Sequence, residues 1–137
     1  MEKNLAVIRL RGRTGLRADV ETTLKHLNLN RINNCVVLDE SPQIRGMLKK
    51  AKDYITWGHI DTETLTLLVS KRGRQAKEQD VKSGRVVSFD GKAYERYFRL
   101  NPAKGGLGSR GIKATFAKAG ALGERKEKIS DLIKKMI

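Results

Sequence analysis

The residues of this chain best suited to chemistry are glycines and cations gathered in one tract. Between Asn101 and Arg125 lie six of the thirteen glycines: Gly105, Gly106, Gly108, Gly111, Gly120 and Gly123. The same tract carries Lys104, Arg110, Lys113, Lys118 and Arg125 against a single acid, Glu124, and only Leu107, Ile112, Phe116 and Leu122 are large and apolar. Glycine lets a backbone approach a partner closely, and the cations suit a phosphate surface. So little apolar surface is too small to order the tract by burial. The combination reads as a basic arm laid along RNA.

Other motifs offer chemistry that their context withdraws. Gly106-Leu107-Gly108-Ser109-Arg110-Gly111 matches the dinucleotide-binding pattern G-x-G-x-x-G. No apolar helix follows it, only 26 residues remain after Gly111, and no acid lies near twenty residues on, so a chance match in a glycine-rich loop outweighs a cofactor site. Gly12-Arg13-Thr14-Gly15 matches the G-x-x-G loop of KH modules, but there the loop joins two helices, whereas here a strand-like run precedes it. The cluster of Arg11, Arg13 and Arg17 at a strand-to-helix turn remains, where a helix N-terminus also favours phosphate. A solvated turn with scattered charge is the competing reading.

Nothing nominates a catalytic centre. His26 and His59 stand apart with no Cys or carboxylate cluster, Cys35 lies in an apolar run, and Ser41 is accounted for as a helix cap. There are no paired carboxylates, triad or phosphate-binding lysine loop, so the chain reads as a non-enzyme with no cofactor and no metal. Trp57, the only tryptophan, fits sheet packing better than stacking on a base. Arg31, Arg45, Lys49, Lys50 and Lys52 read as a mixture of solvent-facing and binding charge, and Lys71-Arg72-Gly73-Arg74 is expected at a helix C-terminus from the dipole alone.

The charge supports the polyanion reading. The chain has 137 residues and a net charge of +14. Residues 1–60 hold 11 basic and 6 acidic groups, residues 61–98 hold 8 and 6, and residues 99–137 hold 10 and 3. A merely solubilising charge is more often spread evenly and mixed in sign. One cysteine excludes an intramolecular disulfide and a multi-cysteine zinc site, and no apolar run is long enough for a membrane span or signal peptide. A soluble intracellular protein is expected.

The elements that must position these cations follow from periodicity. Leu5 to Leu10 is an apolar run of strand length, and Leu16, Val20, Leu24 and Leu27 recur at helical spacing. Cys35 to Leu38 reads as a second strand. Ser41-Pro42 starts a helix whose apolar face is Ile44, Met47, Leu48 and Ala51, and Tyr54 to Gly58 reads as a third strand. Asp61 caps a third helix ending near Gly73, residues 74–83 read as loop, and Val86 to Phe89, Asp90-Gly91 and Tyr94 to Leu100 read as a hairpin. Ile129, Leu132, Ile133 and Met136 fit a final short helix. There is no internal repeat. The order β-α-β-α-β predicts an α/β or α+β sandwich with helices on one sheet face.

Three segments make the pattern specific: Ala6-Val7-Ile8-Arg9-Leu10-Arg11-Gly12, Ser41-Pro42-Gln43-Ile44-Arg45-Gly46-Met47 and Tyr54-Ile55-Thr56-Trp57-Gly58. They resemble the large-subunit ribosomal proteins of the L-thirty family, in the archaeal and eukaryotic branch. Phe98-Arg99-Leu100-Asn101-Pro102, Gly111-Ile112-Lys113, Gly120-Ala121-Leu122-Gly123 and the last helix resemble the archaeal extension, while residues 74–97 depart from the pattern. The resemblance implies an α+β fold related to ferredoxin-like folds, with a three-stranded antiparallel sheet and two helices. It places a core domain at 1–60 and an extension at 61–137. It implies a structural constituent of the large ribosomal subunit, cytoplasmic and without enzymatic activity, whose partners are ribosomal RNA and neighbouring ribosomal proteins.

The RNA-binding positions that the matching motifs imply are Arg9, Arg11, Arg13, Arg17, Arg45, Arg99, Lys104, Arg110 and Lys113. Lys118 joins them from the basic tract. Two other readings compete: a free-standing RNA chaperone or DNA-binding architectural protein, separated by its breadth of substrates, and a nucleotide-dependent enzyme, separated by dinucleotide binding. Low aromatic content argues against sequence-tolerant stacking of single strands.

Overall fold

A computed structural model describes residues 4–12, 15–27, 29–73, 86–89, 92–95, 97–104, 115, 120 and 122–137. The strands are β1 (Asn4–Arg9), β2 (Asn34–Asp39), β3 (Ile55–His59), β4 (Val86–Phe89), β5 (Lys92–Glu95), β6 (Tyr97–Arg99) and β7 (Gly123–Glu124). The helices are α1 (Ala18–His26), α2 (Pro42–Lys50), α3 (Thr62–Arg72) and α4 (Ile129–Met136), the last entered through a 3-10 turn at Lys126–Lys128.

The three apolar runs form the middle of the sheet. β1 lies between β2 and β3 and is antiparallel to both, with Ala6 opposite Val37 on one side and Gly58 on the other. The three-stranded expectation needs correction at its edges, because the sheet has five strands in the order β6-β2-β1-β3-β7. β6 adds antiparallel to β2, and β7 adds parallel to β3. β4 and β5 pair as a hairpin in a small sheet of their own, but the expected second strand, Tyr94 to Leu100, is divided, with β5 ending at Glu95 and β6 joining β2 in the main sheet.

The two helices between the first three strands share one sheet face as expected, but the helices that follow them cover the other. Alternation along the strands sends Leu5, Val7, Val36 and Ile55 to one face, where they bury against Val20, Leu24 and Leu27 of the α1 region and Leu48 of α2. Ala6, Ile8, Cys35 and Val37 go to the other face, where Leu68 and Val69 of α3 and Ile129, Ile133 and Met136 of α4 cover them. Strands buried on both faces read as continuous apolar runs, as these do. Residues beyond position 60 therefore complete the core begun by the first sixty.

Caps set the helix starts. The Ser41 hydroxyl accepts the Ile44 N–H at 3.2 Å with Pro42 at the first helical position, and the Asp61 carboxylate accepts the Thr64 N–H at 2.7 Å. The C-terminus of α4 is tied to the segment that follows β6. The Asn101 N–H donates to the Met136 carbonyl at 2.9 Å, and the Lys104 N–H to the Lys135 carbonyl at 3.1 Å.

Candidate nucleic-acid interface

The antiparallel pairing gives the sheet two unlike ends. At one end β1 and β6 finish while β2 and β3 begin, so Arg11, Arg31, Lys52 and Arg99 converge there. The start of α1 and the end of α2 bring Arg17 and Lys50, and the end of α4 brings Lys104 and Lys135. At the opposite end β2 and β3 finish, α2 and α3 begin, and the exposed acids Asp61 and Glu63 gather with the largely covered Glu40.

Arg11 sits half-exposed over the Tyr54 ring, with its guanidinium carbon 5.6 Å from the ring centroid and its Nη1 donating to the Asp53 carbonyl at 3.4 Å. A stacked guanidinium loses little freedom when it meets a phosphate. Arg99 is exposed and lies 6.0 Å from the centroid of Tyr97, its own strand neighbour. Arg17 is highly exposed and pairs with Asp19 at 2.9 Å, while the Lys50 ammonium lies 4.0 Å from the same carboxylate. The hydrogen bond from Arg17 holds the Asp19 carboxyl below the usual range against an opposing effect of burial. Exposed pairs of this kind contribute little to stability, so these cations remain available to a polyanion.

Two of the expected residues behave differently. Arg9 is only 3% exposed, and its guanidinium donates inward, to the Leu29 carbonyl at 2.7 Å and the Arg11 carbonyl at 2.9 Å. Arg45 lies at the opposite end of the sheet, where it pairs with Glu40, which also meets His59 Nε2 at 2.9 Å. Arg13, Arg110, Lys113 and Lys118 lie outside the described residues, as do the whole of the G-x-G-x-x-G match and the middle of the G-x-x-G loop. Lys104 stands at the basic end.

Sequence reading left Arg31, Lys50 and Lys52 undecided and did not single out Lys135. Antiparallel order is the signal that assigns the first three, since it puts the residues after β1 beside those before β2 and β3. Ile32, the one large apolar side chain exposed among the described residues (49%), stands within this basic rim. Its Cδ1 lies where a side chain at Gly12 would touch it.

Among the described residues no group of three or more His, Cys, Asp or Glu could hold a metal ion, and no helix is long and apolar enough to cross a membrane. Trp57 packs against the α1–α2 face of the core and walls a cleft of about 60 Å³ shared by Glu40, Arg45, Lys49, His59 and Glu124. Burial pushes the Cys35 thiol up to about 12, which suits packing and not nucleophilic attack.

Comparison with known proteins finds relatives among large-subunit ribosomal proteins. A profile of the family described as ribosomal protein L30p/L7e matches residues 5–55. The large ribosomal subunit protein uL30 of Methanosphaera stadtmanae is 41% identical over 96% of this chain and 99% of its own length. That of Nanoarchaeum equitans is 41% identical over 96% and 97%, and that of Thermoplasma acidophilum 40% identical over 97% and 92%.

Proposed function

Since this chain belongs to the ribosomal protein L30p/L7e family and is a non-enzymatic constituent of the large ribosomal subunit in translation, we propose that the basic end of its sheet is the surface that holds ribosomal RNA. The observation that carries this is the charge polarity of the sheet. Arg11, Arg17, Arg31, Lys50, Lys52 and Arg99 share one end with Asp19 and Asp53 beside them, and the acids Glu40, Asp61 and Glu63 share the other with Arg45.

Phosphate neutralisation by these cations supplies affinity, and release of condensed counterions makes it depend on salt. Folded RNA offers shape and backbone to a protein surface more than readable base edges, so a rigid cationic rim suits it. The segment after Lys104 leaves from this same end, because Lys104 is tied to the end of α4. Arg110, Lys113 and Lys118 extend the contact along RNA as an arm. Residues 1–60 supply most of the docking rim, and 61–137 supply Arg99 and Lys104 to it, the second layer of the core and the arm. Neighbouring ribosomal proteins meet the chain at its less basic surfaces.

The test is a salt titration of the full chain binding to deproteinised large-subunit ribosomal RNA. Replacing Arg11, Arg31, Lys52 and Arg99 together by Ala should lower the slope of log affinity against log salt by about three to four. The same number of cations removed elsewhere, at Lys25, Arg45, Lys126 and Lys128, should lower it far less. Equal losses in both variants would sink the assignment.

A further inference from the structure

We propose that Arg9 is a positioning residue for the RNA surface, holding two interface loops in their binding shape without touching RNA itself. The proposal rests on the assignment of the basic sheet end as that surface. Arg9 closes β1, and its side chain is buried at the sheet end. The guanidinium reaches beyond the sheet to two main-chain carbonyls, Leu29 at 2.7 Å and Arg11 at 2.9 Å. The Arg9 carbonyl accepts the Asn33 N–H at 2.8 Å, and Asn33 holds a positive φ of 67°. One residue thus fixes both the turn that carries Arg11 and the loop that carries Arg31 and Ile32.

Packing alone does not call for arginine at this place. An apolar side chain would fill the volume without the cost of taking a charge out of water. The planar fork, however, donates to two carbonyls in fixed directions at once, which the single ammonium of lysine does not reproduce. Loops fixed before binding lose less freedom on binding, and that saving appears as affinity. A residue acting in this way changes affinity without changing the number of phosphates neutralised.

The experiment compares Arg9→Lys, Arg9→Met and Arg11→Ala with the unchanged chain, on deproteinised large-subunit ribosomal RNA across a salt series. Both Arg9 variants should bind about tenfold more weakly with the salt slope unchanged. Arg11→Ala should lower the slope by about one. Hydrogen exchange of the free Arg9→Lys chain should quicken at the Leu29–Asn33 amides while Val7, Val36 and Val37 stay protected.

Retention of full affinity by Arg9→Lys, or a slope lowered by about one in Arg9→Met, would overturn the proposal and make Arg9 a direct phosphate contact. Loss of protection throughout the sheet in Arg9→Lys would also overturn it, in favour of a global folding role. If the unchanged chain shows no salt-dependent binding to this RNA, the underlying assignment of the surface fails instead.

Discussion

Gly58 in β3 passes so close to the main-chain carbonyl of Lys126 that no Cβ fits between them. A Cβ there would also press on Ile129 at 3.0 Å. This contact seats the 3-10 turn and the start of α4 on the sheet, and Thr56 and Arg125 strengthen it. The Thr56 hydroxyl donates to the Gly123 carbonyl at 2.8 Å and accepts Arg125 Nε at 2.9 Å. Gly58→Ala should therefore destabilise the fold by about 1–3 kcal/mol through overpacking, lowering the melting temperature by roughly 4–12 °C. Thermal unfolding followed by circular dichroism checks this, and an unchanged melting temperature would mean that α4 shifts freely on β3.

Asp61 caps α3, and hydrogen bonding from Thr64 holds its carboxyl below the ordinary 3.8. The folded state therefore favours the charged form. The cap's contribution is fully present above pH 3.8 and is lost as pH falls through the lower folded value. Asp61→Ala should cost about 1 kcal/mol at neutral pH. Asp61→Asn keeps an acceptor that does not titrate, so its stability relative to wild type should rise as the solution is acidified. Urea unfolding at pH 7 and pH 3 measures both effects.

Cys35 is fully buried between β2 and the α3–α4 layer, and burial pushes its thiol from 9.0 up to about 12. The folded chain binds the proton more tightly than the unfolded chain does. This contribution is complete below pH 9 and declines as pH rises towards about 12. Wild type should lose stability faster than Cys35→Ala across that alkaline window. At pH 8 a thiol reagent should leave the folded chain unmodified and label it once it is denatured, and rapid labelling of folded protein would contradict the burial.

The sequence announced what hydrophobic periodicity and caps encode. The runs at Leu5–Leu10, Cys35–Leu38 and Tyr54–Gly58 became β1, β2 and β3, and Ser41-Pro42 and Asp61 began α2 and α3 where their side chains predict. β7 was hidden because two residues, Gly123 and Glu124, join the sheet through main-chain and polar contacts and carry no apolar alternation. The second helical layer was hidden for a different reason. β1 and β2 are apolar at successive positions, and that pattern does not say which helices cover which face until α4 is seen against Ala6, Ile8 and Cys35. Among the cations, Arg9 shows the limit most clearly. Its residue type suggests phosphate, yet its place at the buried end of β1 turns the guanidinium towards the Leu29 carbonyl.

The glycine-rich arm gives the last expected outcome. Arg110, Lys113 and Lys118 lie in a tract with too little apolar surface to order itself by burial. Its flanks are fixed, with Lys104 tied to the end of α4 and Leu122 buried in the core. If the tract is the RNA-binding arm proposed above, its composition makes ordering a cost met on binding. Replacing the three cations together by Ala should lower the salt slope of RNA binding by about three and leave the melting temperature of the free chain unchanged. Hydrogen exchange offers an independent reading. The amides of residues 105–114 should exchange rapidly in the isolated chain and slow once deproteinised large-subunit RNA is added. Strong protection without RNA would mean that the tract folds on its own and that its cations, like Arg9, serve the protein first.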